Sequence, residues 1–472
     1  MKVLFIQKYV FAYLGIISIT GYLQKYQHES SVLIDNLIDR KDLIKKIEEE
    51  NPDVICFSLM STDHSWFTEI IKPIKSNFPD IPILVGGVHS ILYPEDIASI
   101  PEVDYVCYGE GEATILQLLE YLKKEKTIDE VNGIAYKKDG EIHKNPLNNL
   151  ISLDDFTDNR KIYFDHYKIL REIPFKVFNS SRGCPYTCTF CSNKYLQRVF
   201  KGTGPYVRQK PVDHFISEIK YVKDNYDMKF VFIADDLFTW NKEWLKEFSQ
   251  KYKTIIGIPF FCTARADRLD EEIVQYLADG GCTCVSCGVE TGNPEIRKEI
   301  LNKNITDEDF IRAGKLLRKA GILLQTSNMF CLPNETVEDA IKTIDLNIKM
   351  GTAFTLSAIL MPFPKTDLAN KCIEMGILKP DYSFKDMPVS FATNSVLSIK
   401  DKDTIERIQK VSSLAIQYPK LRNLLIFLAK HVKFRPLHFA FFVLGTILRF
   451  RIERNLNIFE TFCHLWIYRK NI

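Results

Sequence analysis

Short β-rich runs alternate with helical stretches along most of the chain, and they do so in two separate series. The first covers about residues 1–124, with strand candidates Val3–Ile6, Val54–Ser58, Ile83–Gly87 and Tyr105–Gly109. The second has six, Phe175–Phe178, Phe230–Ile233, Pro259–Cys262, Cys284–Gly288, Leu323–Thr326 and Thr355–Ile359, separated by helical stretches such as 270–279 and 307–320. Such alternation builds βαβ units around parallel sheets, so the fold class is α/β. The first series reads as a Rossmann-like domain and the six βα repeats as a barrel, partial or full, with its chemistry at the C-terminal strand ends. Residues 126–172 are polar and irregular, with a hairpin at Tyr136–Glu141, and read as a connector. Residues 401–472 are helical in pattern. The expected organisation is therefore 1–125, 126–172, 173–400 and 401–472, consistent with a 472-residue chain that exceeds what one core organises.

The uncharged stretch Tyr9–Gln24 imitates a signal-peptide core, but no small-residue cleavage site follows it, and a first strand leading into a first helix explains it. A reducing, cytoplasmic setting is expected. There, twelve cysteines in a chain of this length are core thiols or metal ligands rather than a disulfide framework. The net charge of +2 conceals a basic tail: from Lys420 to Ile472 there are ten Lys/Arg against two Glu, which leaves −6 for the rest.

Directly after the first strand of the second series the chain reads Ser180-Ser181-Arg182-Gly183-Cys184-Pro185-Tyr186-Thr187-Cys188-Thr189-Phe190-Cys191. Three thiolates spaced C-x3-C-x2-C on one loop hold three irons of a cubane cluster and leave the fourth open to an external ligand. A structural zinc loop competes with this, but zinc ordinarily takes four ligands and no fourth is evident nearby. The motif and its place after a strand resemble the radical S-adenosylmethionine (SAM) superfamily. That resemblance implies a [4Fe-4S] cluster on the catalytic Cys184, Cys188 and Cys191. It also implies SAM at the open iron, cleaved reductively to a 5′-deoxyadenosyl radical, and an electron donor such as flavodoxin or ferredoxin. Phe190 fits the family's aromatic before the third cysteine.

Later strand ends follow the superfamily's order. In Ala234-Asp235-Asp236-Leu237-Phe238, where related enzymes contact the SAM amino group, Asp235 and Asp236 are candidates to pair with an ammonium. Arg265 supplies a planar fork that matches the SAM carboxylate. Gly288-Val289-Glu290-Thr291-Gly292 resembles the family's Gly-x-Glu-Ser-Gly stretch, which makes Glu290 a candidate acceptor for the ribose or amine of SAM. Taken singly, a strand-end Asp or Arg is more often a helix cap or a surface ion pair, and it is their order that favours the SAM reading. The phrases Cys331–Thr336 and Met361–Leu368 also keep the order, but carry Asn334 and Lys365 where glycine is frequent. Cys282, Cys284 and Cys287 raise the question of a second cluster; strand alternation puts the third on the opposite face, so they read as core thiols.

In the first series, Tyr13–Ile16 through Gln27-His28-Glu29, Pro52–Ser58, Gly86-Gly87-Val88-His89 and Gly109-Glu110-Gly111-Glu112 resemble the cobalamin-binding domain of one large radical SAM subfamily. The resemblance covers about the first 120 residues. It implies cobalamin approaching the backbone at Gly86, Gly87 and Gly109, with Glu110 beside them and hydroxyls from Ser58 and Thr62. The Asp-x-His-x-x-Gly motif is missing, so no histidine ligand to cobalt is expected, and His89 reads as a polar loop residue.

With these parts the resemblance implies a methyltransferase acting on an unactivated carbon of a small-molecule substrate. Cyclisation, rearrangement or other C–H functionalisation, methylthiolation, and a binding module without catalysis are the alternatives. An open iron has no use in a scaffold, and the N-terminal half has no basic nucleic-acid-binding module, so no nucleic-acid partner is expected. The longest uncharged run of the tail, Pro436–Leu448, is 13 residues, short of the ~20 that span a bilayer. Its flanking Lys430, Lys433, Arg435, Arg449, Arg451 and Arg454 suit an interfacial helix on anionic lipid, which would place the enzyme peripherally on the inner face of the membrane and favour a lipid-like substrate. A helix packed on the barrel is the competing expectation.

Overall fold

The computed structural model describes residues 1–454, except 155, 389 and 393. Two compact units emerge among the described residues, one made of Met1–Pro174 with Leu196–Met228, the other of Phe175–Tyr195 with 229–454.

The first unit is built on β1 (Lys2–Gln7), β2 (Glu29–Ile34), β3 (Val54–Ser58), β4 (Ile83–Gly86), β5 (Tyr105–Cys107), β6 (Ile134–Lys138) and β7 (Glu141–Lys144), ordered β2-β1-β3-β4-β5-β6-β7. The first five are parallel, and their Val, Ile and Phe side chains are buried because helices cover the sheet. The order reverses between β1 and β3, which marks the C-terminal edge there as the binding crevice of an open α/β sheet. Two findings differ from the sequence reading. β2 escaped it because Glu29-Ser30-Ser31 interrupts the apolar run, and an edge strand tolerates such residues. The stretch taken as a connector belongs to this unit: β6 and β7 extend the sheet antiparallel, joined through Asp139 and Gly140 at positive φ.

The second unit carries β8 (Phe175–Phe178), β9 (Phe230–Ile233), β10 (Phe260–Ala264), β11 (Cys282–Glu290), β12 (Leu323–Phe330) and β13 (Phe354–Ile359). All are parallel and ordered β13-β12-β11-β10-β9-β8, an open half barrel rather than a closed one. Thr326 and Asn328 bond to Asn347 of the covering helix Val337–Met350 and therefore face outward. By alternation Gln325, Ser327 and Met329 face the concave side. Register carries this across the sheet, so Phe230, Phe232 and Phe261 form an aromatic floor there; Phe175 stacks on Phe230 at 5.6 Å and Phe232 on Phe261 at 4.8 Å. Outside the half barrel, helix Lys402–Gln417 seals β13, with Gln409 donating to the Ser357 carbonyl at 2.6 Å and Ser412 to the Ser357 hydroxyl at 2.8 Å.

Candidate active site

The cysteine loop leaves the C-terminal end of β8, and its shape follows from where its backbone is tied. Asp235, at the end of β9, is buried and accepts from the Ser180 and Ser181 N–H groups at 2.7 and 3.2 Å, and from both serine hydroxyls. Further along, Thr189 donates its N–H to the Leu301 carbonyl and its hydroxyl to that of Ile300, while Asn302 donates to the Thr187 carbonyl and hydroxyl. Phe190 is partly buried against a core that includes Ile296, Leu301, Leu332 and Leu368. These ties fix both flanks of the loop and leave the thiols between them.

Cys184, Cys188 and Cys191 are in no disulfide, the second buried and the others half-buried. Burial pushes the Cys184 thiol up to about 11 and raises that of Cys191; the Asp236 carboxylate acts on both in the same direction. Among the described residues no three His, Cys, Asp or Glu side chains are already closed into a metal site. The loop thiols therefore sit as neighbours that a cluster must deprotonate and draw together. Asn193 reaches Cys191 Sγ at 3.6 Å. Arg265 places Nη1 4.0 Å from Cys188 Sγ, stacks at 3.6 Å over the Tyr186 ring, and is held by Asp267 through two bonds of 3.1 Å. A cation and an exposed carboxylate, Asp236, thus flank the thiols, the pair of charges an amino acid's zwitterion requires.

The other predicted residues take different places. Asp235 has its lone pairs engaged by four donors, so it clamps the loop to β9 and has none left for an amine. Phe190 anchors the loop in the core. Glu290 ends β11 at a φ of 68° and forms a buried ion pair with Lys303 at 2.8 Å. That pair lies over Gly288, where a Cβ would come within 2.1 Å of Glu290 Oε1 and 2.7 Å of Lys303 Nζ. Asn334 and Lys365 adopt positive φ, as do Cys331 and Glu290; the conformation that glycine would favour is kept without glycine. Cys282, Cys284 and Cys287 are buried in β11, with Cys282 Sγ donating to the Cys284 carbonyl. Tyr186, Asp267, Asn193 and Lys303 went unremarked in the sequence. Asp267, two residues after Arg265, was the one with a signal to read.

In the first unit the parallel strands bring Ser58, Thr62, Gly86, Gly87, Gly109 and Glu110 to one edge of the sheet. Gly87 has a φ of 93°, and a Cβ there would lie 2.5 Å from the Leu59 nitrogen and 2.6 Å from its carbonyl oxygen. Gly109 has less constraint, meeting Leu147 at 3.0 Å, and Gly86 none. Thr62 is exposed; Glu110 is gripped by both terminal nitrogens of Arg208, at 2.5 and 3.0 Å, so its charge serves that pair. His89 is buried, 3.1 Å from the Ser61 hydroxyl and packed on Tyr93.

A three-cysteine loop at the C-terminal edge of an open parallel half barrel, in a chain that also carries an α/β unit with a glycine-lined sheet edge, defines an iron–sulfur enzyme of the SAM-cleaving class. Residues 178–346 match the Radical SAM superfamily and residues 8–119 the B12 binding domain. The chain thus carries a radical SAM domain behind an N-terminal B12-binding domain, and it is an enzyme. It is 29% identical over 357 residues to an uncharacterized methyltransferase of Pyrococcus horikoshii, covering 73% of this chain and 75% of that one. It is 26% identical over 364 residues to the anaerobic magnesium-protoporphyrin IX monomethyl ester cyclase of Rubrivivax gelatinosus, covering 74% and 64%. The fold is that of the cobalamin-dependent SAM radical enzyme OxsB, whose structure was solved with aqua-cobalamin and SAM bound, at a TM-score of 0.71 and 17% identity over 96% of this chain and 72% of that one.

Proposed function

We propose that the protein methylates an unactivated carbon in an uncharged, apolar part of a small, lipid-like molecule. The observation that carries this is the concave face of the half barrel. Its floor is aromatic, Met329 and the half-exposed Leu356 continue it, and the Glu290 carboxylate over Gly288 is neutralised by Lys303. Such a wall desolvates an apolar group without penalty and offers no counter-charge to an ionic one.

Cys184, Cys188 and Cys191 would hold a [4Fe-4S] cluster, and Arg265 and Asp236 would receive the carboxylate and the ammonium of SAM. The Gly86-Gly87 and Gly109 backbone, with Ser58, accommodates cobalamin in the first unit. When bound, these groups supply a 5′-deoxyadenosyl radical that removes hydrogen and a methyl group that replaces it. The chain's own residues bind and orient SAM, keep water from the apolar floor, and hold the cysteine loop through Asp235, Thr189 and Asn302. Electrons come from a small redox donor of the flavodoxin or ferredoxin kind.

The cyclase relative favours ring formation as a second reading. Anaerobic turnover with reductant separates the two. Methyl transfer from SAM leaves S-adenosylhomocysteine beside 5′-deoxyadenosine, whereas ring formation leaves 5′-deoxyadenosine alone. Failure to form 5′-deoxyadenosine at all, in protein with its iron in place, would overturn both.

A further inference from the structure

We infer that helices Arg422–His431 and Arg435–Arg454 form a docking surface for an anionic lipid bilayer. Each helix uses one face to pack. Leu425, Ile426 and Ala429 are buried against a core that includes Ile405, Ile408 and Val411, and Phe441 and Leu448 pack partly on the same core. Gly445 lets the last helix approach closely, since a Cβ there would lie 3.1 Å from that of Ser413. The packed-helix expectation therefore holds for one face of each helix and leaves Phe441, Phe442 and Leu448 only half-exposed; Phe442 lies 5.1 Å from the Lys410 ammonium.

The opposite faces are apolar and open. Leu424 and Phe427 are 56% and 57% exposed, Phe434 is 62% exposed where the helices join, and Phe439 is 60% exposed. The spacing 424, 427 and then 439, 443 keeps these side chains on one stripe of each helix. His438 ties the joint by a 2.8 Å contact to the Val432 carbonyl. So many large apolar side chains in continuous array are uncommon on a surface that only meets water.

Charge decides what covers them. From Arg407 to Ile452 the chain has nine Lys/Arg and not one Asp or Glu. Arg407 and Arg422 are spent on the Ala429 carbonyl and on Asp345, and the half-buried Lys410 donates to the Ala392 carbonyl. Lys420, Lys430, Lys433 and Arg435 are exposed beside the apolar stripe, with no ion pair among the described residues. Apolar anchors bordered by unmatched cations complement the acyl edge and the anionic headgroups of a bilayer together. No helix of the described residues is long and apolar enough to cross it, so the contact lies in the interface plane. The last eighteen residues, 455–472, lie outside the described residues.

The full-length protein, sedimented with vesicles of phosphatidylcholine alone or mixed with phosphatidylglycerol, should bind the mixed vesicles at low salt and detach as salt rises. The triple variants Lys430→Glu/Lys433→Glu/Arg435→Glu and Leu424→Ser/Phe427→Ser/Phe439→Ser should each bind at least tenfold more weakly, since the first loses three cations that attract the anionic leaflet and the second loses the apolar anchors. All the substituted side chains are exposed, so unchanged circular dichroism and iron loading would show that the fold survives. Equal binding to both vesicle types, or undiminished binding by both variants, would overturn the inference. So would a wild-type dimer in light scattering that the serine variant dissolves while neither form binds lipid, because a second copy would then be the occupant. None of these outcomes depends on which reaction the enzyme performs.

Discussion

Asp235→Ala is the most informative single change in the catalytic unit, because the carboxylate serves the cysteine loop without belonging to it. Its removal leaves the buried N–H groups of Ser180 and Ser181 without acceptors. Each orphaned donor costs ~1–3 kcal/mol, so the variant should lose about 2–6 kcal/mol; the two hydroxyls can turn to other partners and add little. Against a domain stability of ~5–15 kcal/mol that is a large fraction. Asp235→Asn keeps one oxygen for the two N–H groups and presents an amide donor to the hydroxyl oxygens, so it should cost about 1 kcal/mol. Urea unfolding of the full chain, followed with iron content after anaerobic reconstitution, gives the comparison. The alanine variant should unfold earlier and load less iron, and the asparagine variant should resemble wild type in both. The clamp is refuted if alanine shifts stability by less than about 1 kcal/mol. It is refuted equally if asparagine keeps fold and iron yet loses SAM affinity tenfold, which would make Asp235 a direct SAM contact.

Reconstituted wild type should hold about four iron and four sulfide per chain, and Cys184→Ala, Cys188→Ala and Cys191→Ala should each fall well short by iron and sulfide assay. Gly87→Ala forces a Cβ into the Leu59 backbone at 2.5 Å and should lower the melting temperature and reduce corrinoid retained on purification, while the wild-type spectrum should show no histidine ligation. Lys303→Ala leaves the Glu290 carboxylate buried and unpaired and should cost ~3–5 kcal/mol, most of it recovered in Glu290→Gln/Lys303→Ala, as thermal melts would show. Glu335 is pushed up to about 8 by burial, and one of its carboxyl oxygens has no hydrogen-bond partner. A folded-state pKa above the unfolded value means that folding favours the protonated acid. Stability is then full below about pH 4.5 and falls as pH rises from there through about 8. Glu335→Gln should flatten that decline, melting close to wild type at pH 5 and above it at pH 9; parallel curves for the two would refute the assignment.

The cysteine loop, the two βα series and the glycine-ended strands were legible in the sequence because each is a local pattern: fixed spacing, period-two runs and turn chemistry. Arg265 was legible for the same reason, as a cation directly after a strand of known order. The roles of Asp235 and Asp236 were not. Neighbours in sequence at a strand end, one turns into the interior to hold Ser180 and Ser181 while the other stays exposed beside Cys184 and Cys191. Only alternation about a placed strand separates a clamp from a ligand. The engagement of Glu290 by Lys303, thirteen residues on and past a π-helical turn at Ile296–Ile300, likewise belongs to tertiary packing. The sequence by itself determined the chemistry available, three thiols on one loop and a tail with ten Lys/Arg against two Glu, since residue identity and spacing are one-dimensional facts. The structure decided which half of the C-terminal helices is buried, that the barrel stays open at six strands, and that Glu290 is paired with Lys303 beside its concave wall. Those properties depend on which residues from distant segments share a face, and spacing along the chain does not encode that.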